Sequence, residues 1–130
     1  MIVDTSVLID FLKGEDTRET RVLAELEGNG FQYAIPLICL QEVLQGARDH
    51  KEWKLLEQYL SSQVLLEPQD YKATHVAAAR LYFDCRRKGV TVRSAADCFI
   101  AQIVIECNGK LLHSDKDFDR LKKVCKLQTI

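Results

Sequence analysis

Short apolar runs separated by longer stretches of helical periodicity constrain this chain more than any other feature. Ile2-Val3, Phe31 to Ile35, Val64 to Leu66 and Lys110 to His113 read as strands, and Leu127 to Ile130 as a further one. Helices between short strands predict a mostly parallel sheet, wrapped on both faces and reached by right-handed crossovers. The expected architecture is a three-layer α/β/α sandwich on a sheet of about five strands, formed as one domain over residues 1–130. A chain of this length buries roughly 65 to 70% of its unfolded surface, so a packed core needs no disulfide or structural metal.

The helices announce themselves by caps and apolar stripes. Val7, Leu8, Phe11 and Leu12 have helical spacing after Asp4-Thr5-Ser6, with Gly14 as the stop. Asp16 and Glu19 have capping-box spacing before a helix striped by Val22, Leu23 and Leu26, which Gly28 and Gly30 end. Pro36 suits the first turn of a helix running to about Arg48, and another helix is expected from Glu52 to Leu60. Pro68 and Asp70 introduce the longest helix, Tyr71 to Lys88, which ends in Arg86, Arg87, Lys88 and Gly89. Ser94 caps a helix reaching Asn108-Gly109, and a short one follows from Asp117 to Val124.

Composition excludes some classes. With 47% hydrophobic and 28% charged residues the chain is neither disordered nor a membrane protein in character. The opening segment lacks a basic leader and is too short to span a bilayer, so a soluble, unexported protein is expected. A net charge of −1 neither supports nor excludes RNA, because a nuclease carrying its own acids can look neutral. Cys39, Cys85, Cys98, Cys107 and Cys125 form no CxxC pair, and a reducing, cytoplasmic setting is the natural inference.

The acids carry the chemistry. Positions just past the carboxyl ends of parallel strands converge on one crevice, so Asp4, Glu42, Asp97, Asp115 and Asp117 are expected to build a single anionic pocket. Asp97 lies on the apolar side of its helix with Ile100, Ala101 and Val104, opposite Gln102 and Glu106, and a carboxylate so placed needs a partner. Each acid also has a plain structural reading. Asp4 caps the first helix, Ser94-x-x-Asp97 and Ser114-x-x-Asp117 form capping boxes, and Glu42 lies on a solvated face. Carboxylates gathered in one cleft repel one another, and a hard cation held by oxygen ligands, Mg²⁺ or Mn²⁺, relieves that repulsion. Such a cation supplies reactivity without a histidine base or serine nucleophile, and the chain has no GxSxG, HExxH, P-loop or GxGxxG.

Four stretches together resemble a known family: Ile2-Val3-Asp4-Thr5-Ser6-Val7-Leu8-Ile9-Asp10, Leu40-Gln41-Glu42-Val43-Leu44-Gln45-Gly46, Ala95-Ala96-Asp97-Cys98-Phe99-Ile100-Ala101 and Leu112-His113-Ser114-Asp115-Lys116-Asp117-Phe118. They resemble the PIN-domain ribonucleases, and most closely the toxin half of VapBC-type toxin–antitoxin pairs. The resemblance implies a Mg²⁺- or Mn²⁺-dependent endoribonuclease in which Asp4, Glu42, Asp97 and Asp115 hold the metal. Asp117 is then an extra acid or a structural residue, and Thr5 and Ser114 supply supporting hydroxyls. It also implies a homodimer silenced by a cognate antitoxin whose tail occupies the active-site groove, and a first strand central in the sheet.

RNA needs positive charge near those acids, and Arg48, Arg80, Arg86, Arg87, Lys88 and Arg93 are the candidates. Arg93 stands out because it directly precedes the helix carrying Asp97, whereas Arg86 to Lys88 also satisfy their own helix end. His75 and His113 read as structural. Rival readings are a housekeeping RNA-processing nuclease of the same family and a non-catalytic module that keeps the fold. A phosphoacceptor domain fits poorly, since Asp4 is followed by Thr5-Ser6 where neighbouring acids are wanted.

Overall fold

The computed structural model describes residues 1–130, and its architecture follows from where the chain places its apolar runs. Four short strands, β1 (Ile2–Val3), β2 (Ala34–Pro36), β3 (Val64–Leu66) and β4 (Leu111–Leu112), form one sheet in the order β3-β2-β1-β4. Every neighbouring pair is parallel, with Ile2 in register with both Ala34 and Leu111. β1 is therefore an inner strand, as the resemblance implied.

Seven helices cover the sheet: α1 (Thr5–Leu12), α2 (Arg18–Gly28), α3 (Leu37–Leu44), α4 (His50–Ser61), α5 (Tyr71–Arg87), α6 (Ala95–Glu106) and α7 (Lys116–Leu121). Contacts divide them into a group built around α1, α2, α3 and α4 and a group built around α5, α6 and α7. The α/β/α expectation is met. Between the layers lies a core that includes Val3, Ile35 and Leu112 from the strands and Leu8, Leu23, Ile100, Val104, Phe118 and Leu121 from the helices. Each such side chain contributes on the order of 2 kcal/mol by leaving water, and that burial holds two- and three-residue strands that would not pair alone.

The ends of elements depart from expectation for local reasons. The Leu127 to Ile130 segment makes one parallel bridge, Thr129 to Leu111, instead of a fifth strand, because β4 offers only two residues to pair with. β2 begins at Ala34, not Phe31, since the Phe31 N–H still donates to Leu26 and closes the end of α2. Thr17, not Asp16, caps α2, exchanging hydrogen bonds with Thr20, while Asp16 turns outward to Arg21. Pro36 ends β2 and serves as the cap position of α3, which stops at Leu44 because Gly46 and Ala47 fold back on its last carbonyls. Asp49 then starts α4 two residues earlier than expected by accepting from the Glu52 N–H at 2.8 Å. α7 runs from Lys116 to Leu121, capped by Asp115, not from Asp117 to Val124.

Gly89 ends α5 at φ +70°, a conformation that costs most side chains but not glycine. Cys39, Cys85 and Cys98 pack into the core as small apolar residues. No helix is long and apolar enough to cross a membrane.

Candidate active site

The strand ends deliver their acids to one place. The Asp4 N–H donates to Leu112 at 3.0 Å, seating Asp4 where β1 and β4 both terminate. Its Oδ2 accepts from the Ser6 N–H at 3.1 Å and the Ser6 hydroxyl at 2.7 Å, so Asp4 caps α1 and still lies at a strand end. The two readings of Asp4 coexist. Burial pushes its carboxyl above the ordinary range, opposed by the Ser6 hydrogen bonds.

Glu42 projects from α3, half-buried, and accepts from the Thr5 hydroxyl at 2.9 Å through Oε1. It is not on a freely solvated face. Burial raises its pKa first, the Thr5 bond opposes this, and the Asp4 charge adds to the rise.

Asp97 sits in the first turn of α6 and is only 9% exposed. Ser94 makes no side-chain capping bond, so the expected capping box is absent. Its carboxyl is pushed up to about 7, by burial first and then by the charges of Asp115, Asp4, Asp117 and Glu42. All four other acids therefore act on Asp97. That mutual influence makes them one electrostatic unit.

Asp115 caps α7, its Oδ1 accepting from the Asp117 N–H at 2.9 Å. Asp117 is buried, with Oδ2 accepting from the Arg93 backbone N–H at 3.0 Å and Oδ1 from Arg120 Nη1 at 2.6 Å. The expected Ser114 to Asp117 box is replaced by this arrangement. Ligand oxygens of Asp97, Asp115 and Asp117 all lie within 4.8 Å of one another, while Asp4 and Glu42 flank that trio.

Two contributors escaped the sequence reading. Ser6 locks Asp4, and its hydroxyl also accepts from the Ser114 N–H at 3.2 Å, so Ser114 supports the site through its backbone. The two-residue offset from Asp4 was the available signal for Ser6. Arg120 was the other, legible only as a residue three positions beyond Asp117 on a helix.

The basic candidates separate clearly. Arg93 lies beside Asp117, its Nε 3.8 Å from Oδ1, with a side chain 73% exposed. Arg48 pairs with Glu52 and Arg80 with Asp84 on their own helices, each at 3.0 Å. Arg86, Arg87 and Lys88 end α5, where Arg87 lies over the Phe83 ring, and none of the three is bonded to the acid cluster. His75 stacks on Phe99 with centroids 4.4 Å apart. His113 is buried at the end of β4, tilted against Phe118, with Nδ1 lacking a hydrogen-bond partner.

Five carboxylates set against two arginines leave a net negative cleft, and Asp97 is the group with the least local compensation. A hard divalent cation fits that donor set, since all the donors are carboxylate oxygens.

Comparison with known proteins agrees along the whole chain. The family model described as PIN domain matches residues 1–124. VapC ribonuclease Mb1587 of Mycobacterium bovis is 30% identical over 131 residues, covering 98% of this chain and 96% of that protein. The solved structure of VapBC-1 from nontypeable Haemophilus influenzae has a TM-score of 0.74 at 18% identity, over 99% of this chain and 95% of that one. A toxin-antitoxin complex from Klebsiella pneumoniae has a TM-score of 0.67 at 21% identity, over 90% and 88%. With its fold and its sequence matched from the first strand through the last helix, the chain belongs to the PIN-domain family.

Proposed function

We propose that this chain is a metal-dependent endoribonuclease that hydrolyses RNA phosphodiester bonds and acts as a toxin neutralised by a cognate antitoxin protein. The observation that carries the reading is Asp97, a carboxylate pushed up to about 7 by burial and four neighbouring acids in a crevice at the strand ends. A group in that state is stabilised by a cation. The curated relative named as a VapC ribonuclease and the similar toxin-antitoxin complex support the assignment to a nuclease with a protein inhibitor.

In this reading Asp4, Glu42, Asp97 and Asp115 hold Mg²⁺ or Mn²⁺, with Asp117 beside them. The bound cation supplies a more acidic water and compensates charge that builds on the phosphate. The protein's own side chains prepare the site for it. Ser6 occupies Asp4 Oδ2 and leaves Oδ1 for a ligand. Thr5 orients Glu42, and Arg93 presents an exposed guanidinium to the RNA backbone. Arg86 and Arg87, at the end of α5, are candidates for phosphates farther along the strand.

The working unit in this reading is a single PIN domain over residues 1–130 that pairs as a homodimer, supported by exposed Tyr71, Val76, Tyr82 and Phe83 along α5. A cytoplasmic setting is supported by the RNA substrate and by the free thiols in the core.

The test is cleavage of RNA by purified protein with EDTA, with Mn²⁺ restored, and with Asp97→Asn. Cleavage that requires Mn²⁺ and is lost in Asp97→Asn supports the reading, whereas EDTA-resistant cleavage rejects the metal mechanism. Growth arrest on expression, relieved by a co-expressed antitoxin, separates a toxin from a housekeeping nuclease.

A further inference from the structure

We propose that Asp117 is a positioning residue, not a metal ligand, and that it positions Arg93 so that the Arg93 guanidinium receives an RNA phosphate beside the carboxylate cluster. The inference rests on the nuclease reading above and deepens it. Asp117 comes within 4.8 Å of the ligand oxygens of Asp97 and Asp115, which makes it look like a third ligand. Its bonding says otherwise.

Both Asp117 oxygens are already committed. Oδ2 accepts from the Arg93 N–H at 3.0 Å, and Oδ1 accepts from Arg120 Nη1 at 2.6 Å, with Arg93 Nε 3.8 Å away. The carboxylate is 3% exposed and matched by two guanidinium groups, so its charge has local partners. A divalent cation on Asp117 would stand next to Arg120 and be repelled by it. Asp115 differs: its Oδ1 accepts one backbone bond and its Oδ2 accepts none. Asp97 differs more, since four carboxylates crowd it.

Arg93 meets Asp117 through one hydrogen bond and one looser ion pair. Its backbone N–H and its Nε both address Asp117, while the side chain stays 73% exposed and its terminal amino groups bond no protein acceptor. A guanidinium held at its root and free at its tip is prepared for bidentate contact with a phosphate. Position along the chain reinforces this. Arg93 immediately precedes Ser94, the cap of α6, so the bond to Asp117 also sets how the chain enters the helix that carries Asp97.

The experiment measures two quantities on the full chain: Mn²⁺ affinity by calorimetric titration, and kcat and KM for cleavage of a single-stranded RNA in Mn²⁺. Asp117→Asn is expected to keep Mn²⁺ affinity within a few-fold and to raise KM about tenfold, the scale of one charge-assisted hydrogen bond. Arg93→Ala is expected to raise KM similarly with kcat little changed, and Arg93→Lys to recover only part of the loss. The double variant is expected to be no worse than Arg93→Ala. Loss of Mn²⁺ affinity in Asp117→Asn as large as in Asp97→Asn would overturn the proposal, as would an unchanged KM in Arg93→Ala. The Arg93 variants alter an exposed side chain, so they decide the matter even if Asp117→Asn fails to fold. Wild type that cleaves no RNA in Mn²⁺ would sink the nuclease reading itself, and EDTA-resistant cleavage would reject only its metal mechanism, results separate from either of those.

Discussion

Thr5 and Glu42 stand 37 positions apart in the chain and are joined by a single hydrogen bond, Thr5 Oγ1 to Glu42 Oε1 at 2.9 Å. That bond fixes the one acid of the cluster that projects from the middle of a helix and not from a strand end or helix start. Hydroxyls that orient a ligating carboxylate affect metal affinity by about 10- to 100-fold. Thr5→Val is expected to weaken Mn²⁺ binding near the low end of that range and to cost about 1 kcal/mol of stability. Thr5→Ser, which keeps the donor, is expected to retain most of both. Calorimetric titration and thermal melts read the two effects, and equal Mn²⁺ affinity in Thr5→Val and wild type would remove the role assigned to Thr5.

Asp97→Asn is the decisive change at the site. It keeps the volume, removes the charge, and is expected to lower Mn²⁺-dependent RNA cleavage by about 100-fold or more. The metal-free protein should meanwhile be at least as stable as wild type, because one of five crowded carboxylates has gone. Initial rates and a melt without metal check both halves. A variant that unfolds, or that cleaves at the wild-type rate, contradicts the assignment.

Stability without metal should fall as pH rises. The Asp97 carboxyl is pushed from 3.8 to about 7 in the folded chain, so between those values the native state holds a proton that the unfolded chain has released. The native state then binds more protons, and stability declines with increasing pH. This contribution is fully present below about pH 4 and gone above about pH 7. Asp4 and Glu42 are raised as well and act in the same direction. At about 1.4 kcal/mol per pH unit, and after allowing for solvent reaching the site, the loss is on the order of 2 kcal/mol. The quantity to measure is the wild-type pH dependence minus that of Asp97→Asn. A difference that is flat from pH 4 to 7 contradicts the raised carboxyl, and saturating Mn²⁺ is expected to flatten it by replacing the proton.

Gly109 joins α6 to β4 where the backbone passes against β1. A Cβ there would run into Ile2 Cδ1 and lie 3.2 Å from Cys107 Sγ, and Ile2 is itself packed in the core at 3% exposure. Gly109→Ala is expected to cost about 1 to 3 kcal/mol by overpacking. Ile2→Val removes the obstructing methyl, so the double variant should lose less than the two single variants added together. Denaturant melts of all four proteins measure the coupling. Strict additivity would mean that the steric conflict is relieved elsewhere.

Much of the fold was legible because its causes are local. Apolar run length separated strands from helices, and Asp70, Gly89 and the cations of the last turn marked α5 to within a residue. Failures came where two local signals competed. Thr17 outbid Asp16 as a cap because Thr20 could reciprocate its hydrogen bond, a choice that depends on geometry within one turn. The Leu127 to Ile130 segment had strand-like composition but found only a two-residue partner in β4.

The sequence by itself determined the alternation of strands and helices, the inward face of Asp97 and the positions of the acids at element ends, since periodicity and capping act over a few residues. The tertiary structure alone decided which side chains compensate one another. Arg93, Asp117 and Arg120 meet through the docking of the α6 entry on α7, and Thr5 meets Glu42 through the packing of α1 on α3. Those pairings depend on distances between segments far apart in the chain, and such distances are set by the shared core and the sheet, not by any residue's neighbours.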